Sequence, residues 1–253
     1  MMLVRSRSGD PRPSWRKIRM SLHCVGRKFR YRPVSNTGLQ LGSAMPFIQT
    51  LTGKNAGEKA VEMFTRAIRE FGYLPNMVKV FSHRPEVMDA WDGLLDSIKS
   101  NMDVRRYELV TIAAAKQLRS SYCMLAHGSF LLRDHFTAQE LQAVVEDAEE
   151  PSLDATDRAV MQFATKVVRD ATSISADDIE GLRSHGLSDQ EIFDVASAAA
   201  ARCFFSKLLD AMGAQPDSAY NEIEPGLRKS LLVGRQIAND GSADQEAAQS
   251  EPR

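Results

Sequence analysis

Apolar residues in this chain recur at helical spacing. Nowhere do Val, Ile or aromatic residues alternate with polar ones long enough to build a sheet. That pattern predicts an all-α fold, a bundle of mostly antiparallel helices. Ala56, Ala60, Phe64, Ala67, Ile68 and Phe71 mark a first helix from Lys54, stopped by Gly72 and Pro75. A short helix is expected over Met77–Phe81. Pro85 fits the first turn of a third helix, which ends near Ser100 and has Trp91, Leu94, Leu95 and Ile98 on its apolar face.

Start signals punctuate the rest. Asp103 is placed to cap a helix running to Leu118, and another is expected from Ser121 to Arg133. Thr137 with Glu140, and Ser188 with Glu191, are capping boxes; the second opens a long Ala-rich helix with Gly213 beyond its end. Asp154 or Thr156 begins a helix through Val168, and Ser175 one that stops at His185-Gly186. Signals weaken after Pro216, and 239–253 reads as disordered.

Charge is unevenly placed. Residues 1–44 hold ten Lys/Arg and one acid, so they carry +9, and the remainder carries −10 to give the net −1. This stretch is Pro- and Ser-rich without amphipathic period, and is expected to be a disordered basic extension rather than a nucleic-acid arm. The helical domain is expected over 45–232, with 233–253 a tail. Cys24, Cys123 and Cys203 are too few and scattered for a secreted disulfide framework. With no apolar run of about 20 residues and no secretory signal, the expectation is a cytoplasmic protein with no membrane partner.

The chemistry concentrates in Tyr107–His127, YELVTIAAAKQLRSSYCMLAH. If Ser120 or Ser121 caps the second helix, Cys123 lies in its first turn, where free N–H groups and the helix dipole favour a thiolate. His127 is four residues on and projects from the same face, as a base for the thiol. Glu108 reaches the imidazole if the two helices fold into an antiparallel hairpin. No metal is expected, since Cys123, His127 and either His135 or Glu108 form an incomplete ligand set. A faint echo of the Glu108 helix in the Glu191 helix admits an internal duplication, which would set Cys203 opposite Ser120.

Glu108, Ser120, Tyr122, Cys123 and His127 together resemble the active-site pattern of the alkyl hydroperoxidase D-like, carboxymuconolactone decarboxylase-like superfamily, most closely its peroxidase-related subgroup. The later HGLSDQEIFDVASAAAARCFFSKLLDAMG is similar to that family's later helix pair. The resemblance implies a helical homo-oligomer (dimer, trimer or hexamer) and thiol-dependent reduction of hydroperoxides, with no cofactor. It makes Cys123 the reactive thiol, His127 the base and Glu108 the relay acid.

Position 120 departs from the family's Cys-x-x-Cys pattern. With Ser there, the intramotif disulfide cannot form, so an external thiol, a thiol protein or Cys203 must reduce the oxidised sulfur. Ser120 is expected to cap the helix and bond the sulfur. The alternatives are a lyase for a carboxylated lactone, anchored by Arg105, Arg106 or Arg119, and a non-catalytic helical oligomer.

Overall fold

A computed structural model of the chain describes residues 46–51, 55–147 and 151–239. The basic extension with Cys24 and the end of the C-terminal tail lie outside these residues. Among the described residues there are ten α-helices and no strands. Among these residues no helix is long and apolar enough to cross a membrane.

Local signals set most boundaries. Helix α1, Glu58–Phe71, ends at Gly72, whose φ of 82° lets its N–H bond the Ile68 carbonyl. It begins later than Lys54 because Gly57 is extended and breaks the first turn. Helix α2, Asn76–Val80, precedes α3, Pro85–Lys99, with proline in its first turn. Asp103 caps α4, Val104–Gln117, accepting the Arg106 N–H at 2.9 Å. Helix α5 is Ser121–Asp134.

Reciprocal capping boxes open the next four helices. Thr137 and Glu140 open α6, Ala138–Val145, and Asp154 and Asp157 open α7, Ala155–Asp170. Ser175 and Asp178 open α8, Ala176–Ser184. Ser188 and Glu191 open α9, Asp189–Ala211, which at 23 residues is about 35 Å long.

Helix α4 is the centre of the bundle, packed by α5, α7 and α9. Every residue from Tyr107 to Ala115 is buried, so this helix is covered all round. Its alanines let neighbours approach closely, and each fully buried Leu such as Leu109 contributes about 1.5–3 kcal/mol. The same enclosure takes Glu108 out of water. Helices α4 and α9 pack together, but Glu191 is a surface cap paired with Arg106, while Glu108 is interior. The two acids of the sequence echo therefore do different work.

Past Pro216 the chain remains packed. A 3-10 turn over Ser218–Glu222 leads into α10, Pro225–Leu231, capped by the Glu224 carboxylate and lying on α5 and α6. Packing continues beyond Leu232: Ala238 N–H bonds Pro216 O at 2.8 Å, and Ile237 is buried. Gly234 crosses the α4–α5 turn so closely that a Cβ there would lie 2.1 Å from the Arg119 carbonyl oxygen.

Candidate active site

The α4–α5 turn builds the site. Arg119 adopts a left-handed φ of 56°, and Ser120 N–H returns to Ala115 O at 3.0 Å, closing α4 and reversing the chain. Gly234 N–H fixes the turn from outside by donating to Ser121 Oγ at 2.7 Å. The antiparallel pair that follows brings Glu108 Oε2 within 2.5 Å of His127 Nδ1.

Burial decides the state of this pair. It pushes the His127 pKa down to about 4, the Arg202 and Lys99 charges act the same way, and Glu108 only partly opposes them. Burial also works against the Glu108 carboxylate, but His127, Lys99 and Arg202 together leave its pKa below the ordinary value. At neutral pH the carboxylate is ionised and can only accept, so neutral His127 donates Nδ1–H and keeps a lone pair on Nε2.

Cys123 is the third residue of α5, among the N–H groups of its first turn. Its Sγ meets α9 rather than Ser120: Ser206 Oγ lies at 3.1 Å and Arg202 Nη1 at 3.7 Å. The Arg202 Nη2 donates to Tyr107 Oη at 3.1 Å, and its guanidinium lies over Trp91 at 5.6 Å. Burial disfavours the Arg202 charge, yet Tyr107, Cys123 and Glu108 outweigh it and raise the pKa. Glu108 and Cys123 are each 2% exposed and His127 7%, so the imidazole is the member nearest solvent.

The other sequence candidates are placed differently. Ser120 occupies the N-cap position without making a cap bond, and its buried hydroxyl has no hydrogen-bond partner, although it lies near enough to Asp210 to moderate the rise that burial imposes on that carboxyl. The expected Ser120–sulfur bond is therefore replaced by Ser206. Arg202, Ser206 and Asp210 are spaced by four, so they form one stripe of α9 along the start of α5.

Tyr122 bonds Asp217 and accepts the Met77 N–H at 3.1 Å, tying α5 to α2 and the C-terminal segment. It is about 100° round the helix from Cys123. Cys203 is equally offset from Arg202; its thiol is free and bonds its own helix at Ala199 O, 3.6 Å away. Arg105 pairs with Asp157 at 2.6 Å, Arg106 with Glu191 at 3.2 Å, and Arg119 Nε reaches Val233 O at 3.4 Å. None of these three is the cation at the sulfur.

Arg202 and Ser206 were not found from the sequence, although one sign was there. Arg202 is a single charge in the otherwise apolar run Ala-Ala-Ala-Ala-Arg-Cys-Phe-Phe. A charge kept inside such a run is paired or functional.

The carboxymuconolactone decarboxylase family pattern matches residues 85–166. This segment of the chain is similar to that family. The matched segment holds Glu108, Ser120, Cys123 and His127, whereas Arg202 and Ser206 come from outside it.

Solved structures share the fold of this chain. An alkylhydroperoxidase AhpD core, a peroxidase-related protein from Ralstonia eutropha JMP134, is 20% identical, with a TM-score of 0.62 over 70% of this chain and 94% of its own. A peroxidase-related protein from Silicibacter sp. TM1040 is 22% identical, with a TM-score of 0.62 over 74% and 98%. The debrominase Bmp8 is 16% identical, with a TM-score of 0.59 over 73% and 97%. A search of curated protein sequences gives no match.

Proposed function

We propose that this protein is a thiol-dependent, peroxidase-like enzyme that reduces hydroperoxides through the single cysteine Cys123. The observation that carries the reading is the Glu108–His127 pair at 2.5 Å, which holds a neutral imidazole one helical turn from a helix-terminal thiol.

Nε2 of His127 takes the thiol proton, and the sulfur attacks the terminal peroxide oxygen. An S–O bond forms as the O–O bond breaks, and sulfur gives up two electrons. The departing alkoxide recovers the proton from the imidazolium, leaving an alcohol and a sulfenic acid. Two equivalents of an external thiol, or a thiol protein, then return Cys123 to the thiol, with a disulfide and water as products. Ser120 supplies no resolving sulfur, and Cys203 is bonded within its own helix. The lyase alternative has less support, because Arg105, Arg106 and Arg119 are spent on other contacts.

Assembly into a homo-oligomer belongs to the same reading. Phe193 and Phe204 are exposed and, eleven residues apart, share a face of α9.

The test is consumption of an organic hydroperoxide with dithiothreitol as donor, by the wild type and by Cys123→Ser. Turnover lost in the variant, with a 16 Da gain on the Cys123 peptide of the wild type when the donor is withheld, is the expected outcome. Equal rates overturn the assignment.

A further inference from the structure

Arg202 is buried inside the bundle, where a guanidinium is costly unless its charge and its donors are met. Among the described residues no carboxylate lies within salt-bridge distance of it, the Glu108 charge acting only from further off; its contacts are the Cys123 sulfur through Nη1 and the Tyr107 phenol oxygen through Nη2. Its Nε has no hydrogen-bond partner in the protein. The Trp91 and Phe205 ring centroids lie 5.6 and 5.7 Å from the guanidinium and offer it their faces without a full negative charge. Of the two groups that its Nη atoms touch, the sulfur is the one whose chemistry creates an anion.

We infer that Arg202 is a further catalytic residue, which touches the reacting sulfur and stabilises the negative charge on it when the Cys123 proton leaves. Ser206 adds a neutral donor to the same atom at 3.1 Å. The division of labour is then complete: His127 takes the proton, and Arg202 compensates the charge left behind. Both cationic and hydroxyl donors come from α9, so sulfur reactivity depends on a helix outside the segment that carries the Glu–Cys–His pattern.

The inference rests on Cys123 being the reactive thiol, and not on a hydroperoxide being its substrate. The experiment therefore reads alkylation. Full-length wild type, Arg202→Met and Arg202→Lys are treated with iodoacetamide, and the Cys123 peptide is followed by mass. Arg202→Met should alkylate at least tenfold more slowly, Arg202→Lys should recover part of that loss, and millimolar methylguanidinium should speed the Met variant. Loosening of the fold would expose Cys123 and accelerate labelling, so a slower rate cannot come from partial unfolding. A Cys123 rate in folded Arg202→Met equal to or above that of the wild type overturns the inference.

Should Arg202→Met not fold, the wild type alone decides. A cation at the sulfur raises the ratio of the iodoacetate to the iodoacetamide rate severalfold above that of free glutathione, and an equal or lower ratio overturns the inference. Slow alkylation in Arg202→Met together with no peroxide turnover in the wild type would retain Arg202 and sink the peroxidase reading.

Discussion

His127 Nδ1 lies 2.5 Å from Glu108 Oε2, in a position where neither group can exchange its partner for bulk water. The carboxylate fixes the tautomer that leaves Nε2 unprotonated. Glu108→Gln removes the charge while keeping the shape, and an amide also offers a donor that the ring can meet in the wrong tautomer. Peroxide turnover should fall about 10²-fold, the low end of what general acid–base assistance supplies. The thermal transition should move little by comparison. Steady-state kinetics beside a melt separates the two, and unchanged turnover would remove Glu108 from the mechanism.

The same burial predicts an acid limb shifted from the ordinary histidine range. His127 titrates at about 4 in the fold against 6.5 as a free group. The base therefore stays unprotonated to low pH, and kcat/KM should show no midpoint near 6.5. Stability follows with a definite sign. Between 6.5 and about 4 the unfolded chain binds the proton and the native chain does not, so native stability is lost as the pH falls through that window. His127→Gln, which cannot titrate, should flatten the fall in Tm over this range. A wild-type profile with a limb at 6.5 contradicts the assignment.

What the sequence made legible was local. Asp103, Thr137, Ser175 and Ser188 announce their helices because a cap and the N–H it satisfies are three residues apart. Glu108 and His127 could be related because a short turn joins their helices. The α9 side of the site is another matter: Arg202 is 79 residues from Cys123, and no spacing rule connects them. Ser120 is the hydroxyl near Cys123 in sequence, but the hydroxyl that bonds the sulfur belongs to Ser206. The segment after Pro216 has a short helix and one close backbone crossing, features too brief for periodicity to register.

That crossing is testable. A Cβ on Gly234 would sit 2.1 Å from the Arg119 carbonyl oxygen, and the obstacle is backbone rather than a side chain that can turn away. Gly234→Ala must lift the segment off the turn and lose the 2.7 Å bond from Gly234 N–H to Ser121 Oγ. The cost should be about 1–3 kcal/mol, as for other steric insertions into packed sites. A drop of several degrees in Tm is expected. Because Ser121 is two residues before Cys123, labelling of Cys123 should change as well. A melt indistinguishable from wild type would mean that the segment does not hold the turn.

Ser120 and Cys123 both face the α9 stripe, Ser120 toward Asp210 and Cys123 toward Ser206 and Arg202. They are three residues apart at the start of α5, a spacing that puts Cβ atoms about 5–6 Å apart, slightly wider than a disulfide accepts. Ser120 caps nothing, so Ser120→Cys forfeits no helix bond. The variant should therefore resolve its own sulfenic acid after a small closure of the first turn. Peroxide treatment should yield a species 2 Da lighter than the reduced protein, in place of the 16 Da gain expected of the wild type. Turnover should shift from needing any thiol in excess to running best with a dithiol that can open the bridge. A persistent 16 Da adduct in Ser120→Cys would show that the α9 contacts hold the Cys123 sulfur too firmly for position 120 to reach it.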